Sequence, residues 1–196
     1  MIRFDAEMFR NINNLAGRYP ALDAVGVFCA RYLIVVMFLA VIVRAVIVAR
    51  RPESRTLAAA LTTAEIRAFA AAALAFLGNW LFSRLVAFRP RPYVALKDAH
   101  RIIAEPLTSH AFPSGHSSVA FALAFTLLFV DPPFGVVMLI AAAAVAFGRV
   151  FTGVHYPLDV VVGAFVGLFW ALTVHGIGTR LHDLDIVKRV LKLGRR

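Results

Sequence analysis

Residues 113–159 read PSGHSSVAFALAFTLLFVDPPFGVVMLIAAAAVAFGRVFTGVHYPLD, and this stretch decides the fold. Two apolar segments flank the turn Asp131-Pro132-Pro133, so the chain leaves one surface and comes back to it. Polar groups of the kind chemistry needs stand at both outer ends: Pro113-Ser114-Gly115-His116 before the first segment, and Arg149, His155 and Asp159 after the second. Two crossings return both histidines to the same side of a membrane.

Working outward, the rest of the chain has the same character. Of 196 residues, 61% are hydrophobic and 16% charged, with a mean hydropathy of +0.78. A soluble domain carries about a quarter charged residues, so the composition is that of a membrane protein. A first long apolar run extends from Leu22 to Val48 and a second from about Ile66 to Val86; each has the roughly 20 residues a spanning helix needs. The hairpin adds helices at about Gly115–Val130 and Phe134–Phe151, and a fifth starts at Pro157, a residue favoured at the first helical position, and reaches about Val174. The predicted fold is an all-α membrane protein: one domain over residues 1–196, a bundle of about five transmembrane helices. An amphipathic helix over residues 3–16 is predicted to lie in the interface, and a basic helix over Arg180–Arg196 to close the chain.

Several functions are excluded at this level. The opening Met1-Ile2-Arg3-Phe4-Asp5-Ala6-Glu7 mixes charges and reads as no cleavable signal peptide. Cys29 is the only cysteine, so neither an intrachain disulfide nor a thiolate zinc site is available. The formal charge of +10 does not point to nucleic acid, because the basic residues are confined to membrane flanks and loops. The partners implied are membrane lipids and an anionic substrate.

Parity sorts the polar residues. With five spans, the end of the second, the start of the third, the end of the fourth and the start of the fifth share one side. Arg50, Arg51, Arg55 and the basic tail fall on the other, which the positive-inside rule makes cytoplasmic. The motif side is basic too, and its arginines are assigned to ligand binding, which puts the site on the external face. Within the membrane, Asn79 is predicted to bond a neighbouring helix, and Arg31 and Arg44 either to snorkel or to face the bundle.

On the motif side, Ser114-Gly115-His116 opens a helix whose free N–H groups and dipole suit an anion. By itself this is an ordinary capped turn. His155 and Asp159 are four apart, a spacing that lets the carboxylate hold one ring nitrogen protonated while the other attacks; a purely structural His–Asp pair has the same spacing. Arg84, Arg89, Arg91 and Arg149 bring guanidinium groups suited to bidentate phosphate contacts. Two-metal phosphatases need several carboxylate ligands, whereas this side offers mainly Asp98, Glu105 and Asp159. Chemistry without metal or other cofactor is the expectation.

These residues resemble the type 2 phosphatidic acid phosphatase superfamily, with its motifs K-x6-R-P, P-S-G-H and S-R-x5-H-x3-D. The second is intact at Pro113–His116, the third matches at Arg149, His155 and Asp159 with Gly148 in place of Ser, and the first matches at Arg91-Pro92 with Arg84 in place of Lys. In general character the chain is most similar to the small bacterial undecaprenyl-diphosphate phosphatases. The resemblance implies that His155 attacks phosphorus and forms a phosphohistidine, that Asp159 orients it, and that His116 protonates the leaving oxygen. It implies that Arg84, Arg91, Arg149, Ser114 and the Gly115 amide hold the phosphate, with Gly148 one donor short. The expected substrate is a polyprenyl diphosphate in the bacterial cytoplasmic membrane, recycled as carrier lipid for cell-wall synthesis. Alternatives are a phosphatase of phosphatidylglycerophosphate or phosphatidic acid, or a non-catalytic lipid-phosphate binding or transport protein. Vanadate-dependent haloperoxidases share such motifs but are soluble, and the apolar spans argue against them.

Overall fold

The computed structural model describes residues 3–50, 55–85, 89–105 and 110–193, without the side chains of 55–62 and 181–193. Among the described residues all regular structure is helical. Helix α1 covers Arg3–Asn13; α2 (Pro20–Val27), a π-helical turn (Phe28–Tyr32) and α3 (Leu33–Ala49) follow. Next come α4 (Arg55–Leu85), a short α5 (Pro92–Ala95), α6 (Gly115–Leu128), α7 (Pro132–Phe151) and α8 (Pro157–Leu193).

Among the described residues, four stretches are long and apolar enough to cross a membrane: Pro20–Ala49, Thr63–Leu85, Pro132–Phe151 and Pro157–Arg180. The expected third span, α6, has 14 residues and extends only about 21 Å, less than the roughly 30 Å of a hydrocarbon core. It lies inside the others, packed on α4, α7 and α8, with Ala120, Ala122, Leu123, Ala124 and Leu127 fully buried. Among the described residues this is a bundle of five helices, four of them around a short central one. Gly163 and Gly167 let α8 come against α6, since a Cβ on either would stand 2.8 Å from the Ser114 carbonyl oxygen or 2.6 Å from that of Ser118. Small residues four apart at a helix contact allow such backbone approach. That contact brings the starts of α6 and α8 together.

Two sequence expectations change. The basic tail is not a separate helix: α8 runs unbroken to Leu193, because no proline after Pro157 interrupts its hydrogen-bond ladder. Its amphipathic face lies outside the described side chains, as do Val86 and residues 194–196 altogether. Nor is α1 merely an interfacial helix. Asp5, Ala6, Phe9 and Asn13 are buried against the bundle, while Phe4, Met8 and Leu15 are exposed. The two stripes follow from helical spacing, so one face joins the protein and the other is left for lipid.

Away from the histidines, Arg44 of α3 faces the bundle and pairs with both Glu65 of α4 and Asp131 at the start of α7. Arg31 is exposed. Asn79 bonds a neighbour as expected: it donates to the Pro113 carbonyl at 3.2 Å and accepts from Ser118 Oγ at 3.2 Å.

Candidate active site

Four helix ends and one loop build the site. Ser114 is the N-cap of α6, its hydroxyl accepting from the Ser117 N–H at 3.4 Å. The Ser114 N–H donates to the Asp159 carbonyl at 2.9 Å, tying the starts of α6 and α8 together. After α7, Gly153 adopts a positive φ of 83°, and a Cβ there would clash with the His100 carbonyl oxygen. Glycine is required on both counts. The turn delivers His155 one residue before the α8 cap.

His155 is 2% exposed. Its Nδ1 lies 2.8 Å from the Ala111 carbonyl oxygen. A carbonyl only accepts, so Nδ1 carries the proton and Nε2 keeps its lone pair. Nε2 faces Arg91 NH1 at 3.2 Å, and the same NH1 donates to the Val154 carbonyl at 2.9 Å. Burial lowers the His155 pKa well below its usual value, and the charges of Arg149 and Arg91 push in the same direction. The ring is neutral at physiological pH.

The Asp159 expectation meets a different geometry. Its Oδ2 stands 3.6 Å from His155 Nδ1, beyond hydrogen-bond range, and instead accepts from the Tyr156 N–H at 2.8 Å. Its other oxygen pairs with Arg89. The tautomer is therefore held by the Ala111 carbonyl, with the Asp159 charge behind it. A spacing of four brings the carboxylate near the ring, but the start of α8 has its own unpaired N–H groups to satisfy.

Arg149 is 2% exposed. It donates to Glu105 Oε1 at 2.7 Å and to the Ala30 carbonyl of the π-helical turn at 3.3 Å, while its Nε is buried without a partner. Burial opposes the Glu105 carboxylate, but the charge and hydrogen bond of Arg149 outweigh it and lower the pKa. Tyr93 Oη and Arg101 both donate to the Glu105 carbonyl and so fix its position. Arg91, Glu105, Gly115, His116, Arg149 and His155 line one pocket of about 350 Å3. A buried guanidinium with a free N–H beside a neutral imidazole suits a tetrahedral oxyanion. An apolar groove of about 470 Å3, walled by Phe38, Phe69 and Phe76, shares Phe76, Gly115 and His116 with that pocket.

Three motif positions stand apart from the pocket lining. Arg84 is exposed, its guanidinium 4.9 Å over the ring of Trp80, which itself lines the pocket. Ser114 is buried beneath it as the α6 cap. At Gly148 a Cβ would lie 2.7 Å from the Ala30 N and 2.9 Å from Cys29 Cβ, so α2's continuation occupies the place of a serine side chain. The Ala111 carbonyl, Asp5, which reaches Arg89 from α1, and the pairing of Glu105 with Arg149 are not marked in the sequence. No local spacing marks them, because each arrives from a distant segment.

The fold and the pocket define a class, phosphatases set in the membrane that act on a lipid phosphate. The chain belongs to the PAP2 superfamily, whose family model matches residues 64–182. It is 32% identical to the undecaprenyl-diphosphatase BcrC of Bacillus subtilis over 83% of this chain and 78% of that one. The bacitracin transport permease protein BcrC of Bacillus licheniformis is 29% identical over 89% of this chain and 81% of its own. Among solved structures, Aquifex aeolicus LpxE superposes with a TM-score of 0.60 at 25% identity, covering 87% of this chain and 93% of that one. A transmembrane PAP2-type phosphatidylglycerolphosphate phosphatase from Bacillus subtilis, at 19% identity, shares the fold with a TM-score of 0.61, over 90% of this chain and 85% of that one.

Proposed function

We propose that this protein removes the terminal phosphate of a polyprenyl diphosphate, undecaprenyl diphosphate above all, at the external face of the bacterial cytoplasmic membrane. The observation that carries the mechanism is the 2.8 Å contact of His155 Nδ1 with the Ala111 carbonyl, which leaves the Nε2 lone pair to attack. Nε2 attacks the terminal phosphorus in line, and the bond to the bridging oxygen breaks. His116, which takes up a proton as the anionic head group enters, gives it to that oxygen, so polyprenyl phosphate leaves and a phosphohistidine remains. His116 then takes a proton from water; the water oxygen bonds phosphorus, the P–N bond breaks and phosphate departs.

Arg149 and Arg91 hold the equatorial oxygens with the amides at the start of α6, and Arg91 turns its N–H from Nε2 to the phosphate as substrate enters. Positioned charge of this kind supplies most of the stabilisation in phosphoryl transfer. Asp159, 3.6 Å behind the ring, favours the positive charge that develops on it. The prenyl chain lies in the apolar groove that adjoins the pocket. The choice of substrate is supported by the likeness to undecaprenyl-diphosphatase over most of both chains. The external face is supported by the sequence positions of Arg50, Arg51 and Arg55, between the first and second apolar runs.

Purified protein, given undecaprenyl diphosphate, phosphatidylglycerophosphate and phosphatidic acid in turn with EDTA present, tests the reading. Phosphate release is expected to be fastest from undecaprenyl diphosphate, unchanged by EDTA and lost in His155→Ala. Faster release from a glycerolipid overturns the substrate, loss with EDTA overturns the metal-free chemistry, and an active His155→Ala overturns the nucleophile.

A further inference from the structure

Asp5 lies far from every motif and is 4% exposed. Each of its carboxylate oxygens has a partner at the site. Oδ1 accepts from the Leu158 N–H at 2.9 Å, and Oδ2 pairs with Arg89. Arg89 in turn pairs with Asp159 and lies 4.4 Å over the ring of Tyr156.

Tyr156 stands at the N-cap of α8, Pro157 at the first position, Leu158 at the second and Asp159 at the third. Asp159 reaches back to the Tyr156 N–H at 2.8 Å, which is one half of a capping box. The other half needs a short polar side chain at the N-cap, and tyrosine has none. Pro157 has no N–H, so Leu158 carries the first free donor of the helix. Asp5 satisfies it from another helix and completes the cap in trans. The same carboxylate balances Arg89, which would otherwise face Asp159 alone.

We infer that Asp5 is a positioning residue for His155, acting through the α8 cap and the Arg89–Asp159 pair, so that α1 completes the catalytic site. This rests on His155 being the nucleophile. Residues 152–156 form one short link between α7 and α8, and the positions flanking it, Phe151 and Leu158, are held by Asn13 and Asp5. Asn13 donates to the carbonyls of Phe151 and His100, both at 2.8 Å. Loss of Asp5 frees the second end, and a shift of about 1 Å at a reacting group is enough for a loss near 100-fold.

Asp5→Ala, Asp5→Asn and the surface control Glu7→Gln are compared with the parent protein on undecaprenyl diphosphate. Active sites are counted by trapped phosphoenzyme and melting temperature is followed in the same detergent. Asp5→Ala is expected to lose roughly 10- to 100-fold in kcat per active site with KM changed less than about twofold. Asp5→Asn, which keeps an acceptor for the Leu158 N–H, is expected to recover part of the loss, and Glu7→Gln to match the parent. An unchanged kcat per active site in Asp5→Ala overturns the inference, whether or not fewer sites fold. A rise in KM at constant kcat overturns it as well, since that would put Asp5 in substrate binding. A parent protein that releases phosphate without forming a trappable phosphoenzyme removes the His155 reading instead.

Discussion

At the residue scale, the site depends on keeping His155 neutral among cations. Burial, then Arg149 and Arg91, lower its pKa well below 6.5. The protonated ring is the disfavoured form, so the nucleophile survives as pH falls through the usual histidine range. The acid limb of kcat/KM is expected below the usual histidine range, and the fall toward higher pH reports His116, the group that must carry a proton, once substrate ionisation has been titrated separately. An acid limb centred at the ordinary histidine pKa would mean that the ring is not protected. The arginines divide by burial. Arg149→Ala removes a desolvated donor set and is expected to cost about 100-fold or more in kcat. Arg84→Ala removes an exposed group stacked on Trp80 and is expected to cost under about threefold, as exposed charges usually do. Steady-state kinetics of the two variants side by side make the comparison.

At the scale of elements, α7 and the π-helical turn are fitted backbone to backbone. The Ala30 carbonyl that receives Arg149 at 3.3 Å is next to the atoms that would meet a side chain at 148. A π-helical turn is a wider coil often found at functional sites, and here it presents that carbonyl. Gly148→Ser restores the family's motif residue but has no room, since its Cβ would be 2.7 Å from the Ala30 N. The expected result is overpacking by about 1–3 kcal/mol, read as a lower melting temperature with no gain in kcat/KM. The helices themselves were legible from apolar run length and from proline. Their junctions were less so: the continuity of α8 past Val174 depends on the absence of a breaker rather than on any signal.

At the scale of the whole molecule, the two ends of the bundle are held by different means. The site end is tied by α1 and the loop of residues 89–105. The far end is tied by Arg44, shared between Glu65 and Asp131. Arg44→Met leaves two carboxylates without their cation, one of them 1% exposed. Breaking a buried pair in this way costs about 3–5 kcal/mol. The expected outcome is a clear drop in melting temperature while kcat per folded enzyme is unchanged, because the cluster lies at the opposite helix ends from His155. A loss of kcat without a loss of stability would mean that the two ends are coupled.

By itself the sequence determined the class of fold, the order of the helices and the identity of the chemical groups. Hydropathy, proline position and the spacing of Arg149, His155 and Asp159 are local properties, and local properties can be read along a chain. Tertiary structure alone decided which partner each group takes. The proton on His155 is held by Ala111, 44 residues away; Arg149 is met by Glu105 and Ala30; Asp5 reaches the start of α8 across 153 residues. Those contacts are set by the satisfaction of buried polar groups once the helices pack, and no periodicity records them. The same packing put α6, whose length is bounded by the Ser114 cap and the Asp131 turn, at the centre, with its first turn and His116 beside the nucleophile's helix.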